Sequence, residues 1–153
     1  MIQRIQTVYL ILAFALCIAC LCMPVAHFVT LEEVEKVDMY NLWLTFEDGH
    51  HLLYFCPIMM ALLVIAASGI AIDIMLYKVR AAQMRLASFC MILLVLWYVS
   101  YVILCIHLFT EMDAAWHPHW TASFPLVALI LVYLAFRGIL KDEMLVRSLD
   151  RLR

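Results

Sequence analysis

The residues with most chemistry to offer are six histidines and six cysteines. His27, His50, His51, His107, His117 and His119 all fall in connections or at the ends of apolar runs, near Glu47, Asp48, Glu111 and Asp113. Imidazole and carboxylate suit zinc or copper. His50 and His51 would meet His117 and His119 if the two hairpins that carry them pack side by side, which makes these four the metal candidates. None of the spacings is an established metal motif, and the competing reading is a half-polar ring at a membrane interface or a pH-responsive surface. Cys17 and Cys20 have the C-x-x-C spacing of a thiol redox pair, with Cys56 as a third member of a quinone-type relay. An apolar run is a poor place to form the reactive thiolate, and a buried Cys is otherwise a small packing residue. Asp73 lies just past a long apolar run, where a carboxylate is expected to seek Arg80 or Arg85 as an ion-pair partner, or else to handle a proton or substrate. The sequence has no phosphate-cradling glycine loop, no Ser/His/Asp arrangement and no HExxH, and it contains only three glycines. No catalytic residue and no cofactor are expected.

The elements that must position these groups follow from composition. Of 153 residues, 68% are hydrophobic and 14% charged, with a mean hydropathy of +1.02. A water-soluble domain has about a quarter of its residues charged. Too little polar surface is present to cover a soluble globule, so the chain is expected to be an all-α integral membrane protein of one domain. Four apolar spans are expected at about 5–29, 52–77, 86–110 and 116–140, each long enough for the roughly 20 residues a crossing helix needs. They should be helical, because open strands leave backbone groups unpaired in lipid. The first exceeds a signal-peptide core of about 7–15 residues, and Cys17 stands where a lipoprotein cleavage site before Cys20 would need an aliphatic residue. It is read as a retained membrane helix.

Charge fixes an expected orientation. Arg4, Lys78, Arg80, Arg85, Arg137, Lys141, Arg147, Arg151 and Arg153 fall on one side and Lys36 alone on the other, nine cations to one. The positive-inside rule then puts both termini and the inner turn 78–85 in the cytoplasm, with loops 30–51 and 111–115 outside. In the longer outer loop, Leu31–Val37 is acidic, whereas Tyr40–Phe46 has a β-compatible pattern that ends in the turn Glu47-Asp48-Gly49. A small β-hairpin is expected there. Ala66-Ala67-Ser68-Gly69-Ile70-Ala71 marks a close helix–helix contact. The tail 141–153 is expected to be a cytoplasmic helical extension of the fourth helix.

The opening Met1-Ile2-Gln3-Arg4-Ile5-Gln6 and the closing Asp142-Glu143-Met144-Leu145-Val146-Arg147-Ser148-Leu149-Asp150-Arg151-Leu152-Arg153 resemble a family of uncharacterised four-helix inner-membrane proteins of Bacteroidota. The likeness covers the full length. It implies a compact four-helix bundle in the inner membrane with no assigned activity, and so no functional residues to carry over. The expected function is a non-enzymatic accessory or scaffold subunit of a membrane complex. The alternative is a small-molecule, metal or thiol-redox role inside the bundle. Expected partners are the lipid bilayer and a membrane protein or a second copy, with no nucleic acid.

Overall fold

The computed structural model describes residues 2–30, 36–47, 49–52, 56–76, 79–112 and 114–150. Four helices are long and apolar enough to cross a membrane. They are α1 (Ile2–Cys22), α2 (Cys56–Met75), α3 (Arg80–Met112) and α4 (Phe124–Asp150). Each packs on two neighbours, α1 against α4 and α2, and α3 against α2 and α4, so the four close into a bundle.

The buried positions show how the bundle is held. On α1 they are Gln6, Leu10, Ala13, Cys17 and Cys20, and on α2 Met59, Leu63, Ala66, Ile70 and Asp73. On α3 the series runs Gln83, Ala87, Cys90, Leu94, Trp97, Tyr101, Leu104, Leu108, and on α4 Ala128, Val132, Ala135, Ile139. These positions alternate steps of three and four, the 3.5-residue repeat of a left-handed coiled seam, with Ala67 on α2 and Leu93 and Cys105 on α3 buried beside them. Small residues on these seams let backbones approach, which matters where lipid supplies no hydrophobic drive between helices. Gly69 is the sharpest case: a Cβ there would lie 2.6 Å from Cys90 Sγ. The small-residue stretch read from the sequence as a close contact is where α2 meets α3. On the outside, Ile92, Val95, Val99, Ile103, Ile106 and Phe109 of α3 present an exposed apolar belt to lipid.

One end of the bundle is capped by a five-stranded antiparallel sheet in the order β4-β3-β2-β1-β5. Strands β1 (Ala26–Thr30), β2 (Lys36–Met39), β3 (Leu44–Phe46) and β4 (His51–Leu52) come from the α1–α2 connection. The fifth, β5 (Ala114–Pro118), comes from the α3–α4 connection and pairs with β1. A turn closed by Gly49, at φ +78°, joins β3 to β4, and its N–H donates to Phe46 O at 3.0 Å. The sheet buries Ala26, Phe28, Val37, Met39 and Leu44 against the helix ends.

The expected β-hairpin is thus part of a larger sheet, and three expected spans have other bounds: the second, expected over 52–77, is α2 at Cys56–Met75, with Leu52 in β4. The first is expected to reach 29, but α1 stops at Cys22, because Pro24 disfavours helix at the residue before it. The fourth is expected to start at 116, but Trp116 is in β5; a single 3₁₀ turn (Trp120–Ser123) then leads into α4. Pro125 is the second residue of α4, where a missing N–H costs nothing. At the other end, α3 begins at Arg80, so Arg80 and Arg85 are helical and not part of a turn. The helical extension of α4 runs to Asp150. The acidic stretch 31–35, the inner-turn Lys78 and residues 151–153 lie outside the described residues.

Candidate functional site

The sheet and the bundle meet through one buried amide. Asn41, 1% exposed, donates from Nδ2 to Cys20 O at 2.6 Å and accepts on Oδ1 from the Trp97 indole N–H at 3.0 Å. Cys20 O is among the last carbonyls of α1, which have no partner within the helix. Trp97 stacks on Tyr101 with ring centroids 5.4 Å apart and a 5° interplanar angle. Tyr101 donates its hydroxyl to Val25 O at 3.3 Å and Tyr98 to Ala122 O at 2.6 Å. Thr121, in the 3₁₀ turn before α4, donates to Pro24 O, just past the end of α1. These contacts set the sheet rigidly on the helices.

On the face of the sheet turned away from the bundle, the register lines up a polar row across all five strands. His51 is the direct partner of Thr45, Thr45 of Asp38, Asp38 of His27, and His27 of His117. Direct partners in an antiparallel ladder project from the same face, about 4.5–5.5 Å apart at Cβ. His27 Nδ1 contacts Asp38 Oδ1 at 2.5 Å, with the two side chains 36% and 42% exposed. The His119 ring meets the His27 ring edge-on at 4.9 Å, and its Nδ1 lies 2.8 Å from Thr121 Oγ1. His51 Nδ1 lies 3.2 Å from Thr45 Oγ1.

The metal candidates read from the sequence are therefore divided. His50 and His51 sit at the β4 edge and His117 and His119 at the β5 edge. Four strand spacings, about 19 Å, separate the edges. Among the described residues, no group of three or more His, Cys, Asp or Glu side chains is placed to hold a metal ion. What sequence reasoning missed is the His27–Asp38 pair, which depends on register between residues 11 apart. The one signal for it was His27 alternating with the apolar Ala26 and Phe28.

The redox candidates are differently placed. Cys17 and Cys20 both lie on the buried seam of α1, with Cys90 and Cys105 buried on α3. Cys17, Cys20, Cys22, Cys90 and Cys105 are not disulfide-bonded, and the Cys56 side chain lies outside the described residues.

Asp73 departs most from expectation. It is 0% exposed, and among the described residues neither carboxylate oxygen has a hydrogen-bond partner. The nearby Gln83 amide donates to the Asp73 main-chain carbonyl at 3.3 Å, not to the carboxylate. The expected ion pair with Arg80 or Arg85 is not formed among the described residues; the His27–Asp38 contact is the salt bridge found there. Helix phase explains this. Asp73 follows Ala66 and Ile70 on the seam, so it points into the bundle, whereas Arg85 is exposed on α3, two residues off the Gln83–Ala87 face.

Fold and site together define a small multi-pass membrane protein, a bundle of four crossing helices capped by a mixed-origin sheet. Residues 2–152 match the family model described as a domain of unknown function, DUF4293, and the chain belongs to that family. No match is found among curated proteins.

Proposed function

We infer that the chain is a non-enzymatic accessory or scaffold subunit of a membrane complex, inserted with both termini in the cytoplasm and the sheet outside. The observation that carries this reading is the sheet itself. It ties the two helical hairpins into one rigid platform, and among the described residues β5 pairs on one side only. An unpaired strand edge offers backbone donors and acceptors to an added strand, a common mode of peptide recognition. Trp116, 42% exposed, flanks that edge and supplies an apolar anchor of the kind enriched in interfaces. The nine-to-one split of basic residues supports the orientation. The partner that fits is a membrane protein presenting an extended segment just above the bilayer.

The test places a photo-crosslinking amino acid at Ala115 in native membranes, with a membrane-impermeant maleimide applied to a His50→Cys variant in the same intact cells. One discrete protein adduct and surface labelling are expected. Adducts with lipid alone would remove the scaffold reading, and labelling only after the cells are opened would reverse the orientation.

A further inference from the structure

We propose that Asp73 is a proton-binding site within the bundle: its carboxyl carries a proton there and exchanges it with water at the end of the bundle opposite the sheet. The site does not depend on the scaffold reading or on which way the chain faces.

Burial and the lack of a partner carry the assignment. Asp73 is the one Asp or Glu among the described residues that is fully buried, and none of those residues pairs with either of its carboxylate oxygens. An isolated carboxylate out of water is far costlier than a carboxylic acid, so the group holds a proton in place of a charge. The helices packed on α2 offer no compensating cation. They are α1 and α3. The titratable groups on their buried seams are the thiols of Cys17, Cys20, Cys90 and Cys105 and the Tyr101 phenol, none of which becomes positive. Cys90 comes nearest in helical order, its Sγ lying against Gly69 one turn from Asp73. Arg80 and Arg85 make no ion pair with the carboxylate. The side chains of Arg4 and Lys78 lie outside the described residues, and a pairing with either is what an experiment must exclude.

Position supplies the exchange. Asp73 lies two residues, about 3 Å of helix rise, before the last residue of α2. Each of the other helices adds a polar side chain at the same end. Gln83 on α3 is 7% exposed and bonds the Asp73 main chain. Gln6, near the start of α1 and also 7% exposed, donates from Nε2 to Asp142 Oδ2 on α4 at 2.9 Å. These groups can hand hydrogen bonds on to water, as intramembrane carboxyls in proton paths require. Asp73 is thus too buried to ionise in place and near enough to the helix ends to trade its proton when they open locally. In the exchange the Asp73 O–H bond breaks to a water molecule and a proton from that water returns to the carboxylate, with no net change in charge.

Infrared spectroscopy of the purified full chain in lipid vesicles at neutral pH reads the proton directly, because the C=O stretch of a carboxylic acid stands apart from carboxylate and amide bands. The parent should show one such band, and it should move to lower frequency in D₂O before the amides in the middle of α3 exchange. Asp73→Asn should lose the band and Asp142→Asn should keep it. Asp73→Glu should retain it at a shifted position, which keeps the assignment testable if Asp73→Asn does not fold. A parent without the band would mean a carboxylate paired with a cation. A band that survives Asp73→Asn would put the proton elsewhere, and a band indifferent to D₂O would close the route to water. Each of these three results would overturn the proposal.

Discussion

Asn41 offers the most direct test of how the sheet is fastened to the helices. In Asn41→Ala two buried groups lose their partner at once, Cys20 O and the Trp97 indole N–H. Each unsatisfied buried group costs about 1–3 kcal/mol, so the loss should be about 2–6 kcal/mol. Trp97→Phe removes the indole donor and strands only Asn41 Oδ1, so its polar cost should be about half as large, plus a packing loss from the smaller ring. The two residues share one hydrogen bond, so the double variant should cost less than the sum of the single ones, with a coupling of about 1 kcal/mol. Reversible unfolding in mixed micelles reads these energies. Hydrogen exchange adds the location: the amides of β1, β2 and β3 should exchange faster in Asn41→Ala while those in the middle of α3 keep their protection. A cost below about 1 kcal/mol, or an unchanged exchange pattern, would show that the sheet is not held through this amide.

Gly69→Ala should destabilise the protein by about 1–3 kcal/mol, because the added methyl would sit 2.6 Å from Cys90 Sγ. Adding Cys90→Ala should recover most of the loss, and thermal unfolding of the single and double variants reads both effects. Asp73→Asn should leave stability unchanged or raise it, since both oxygens of the native carboxylate lack a partner among the described residues; a loss beyond about 2 kcal/mol in the same assay would mean that the carboxylate is held by a cation.

The four helices were legible because a run of apolar residues is all that lipid asks for. The inward faces were not. Leu94 and Trp97 lie on the seam while Ile92 and Val95 face lipid, yet all four are comparably apolar, so the usual contrast between core and surface is missing. The sheet was half visible. Tyr40–Phe46 carried a strand pattern, but Val25-Ala26-His27-Phe28-Val29 extended an apolar run and read as helix. Its alternate burial appears only once Pro24 has ended α1. The histidine cluster was hidden for a related reason. His27 meets Asp38 and His117 through strand register, and sequence proximity favoured the doublet His50-His51 instead. The placement of Asp73 follows from helical phase more than from its distance to the end of the apolar run. Steps of four and three from Ala66 and Ile70 already placed it inward.

The position of β1 between β2 and β5 has a consequence for biosynthesis. β1 is made early, but its second neighbour follows roughly 80 residues later, after α2 and α3. At about 5–20 residues per second the ribosome takes on the order of 4–16 s to supply it. Through that interval the nascent first hairpin carries an open strand edge, and the arrival of β5 closes it. The last strand added is therefore the latch that joins the second hairpin to the first.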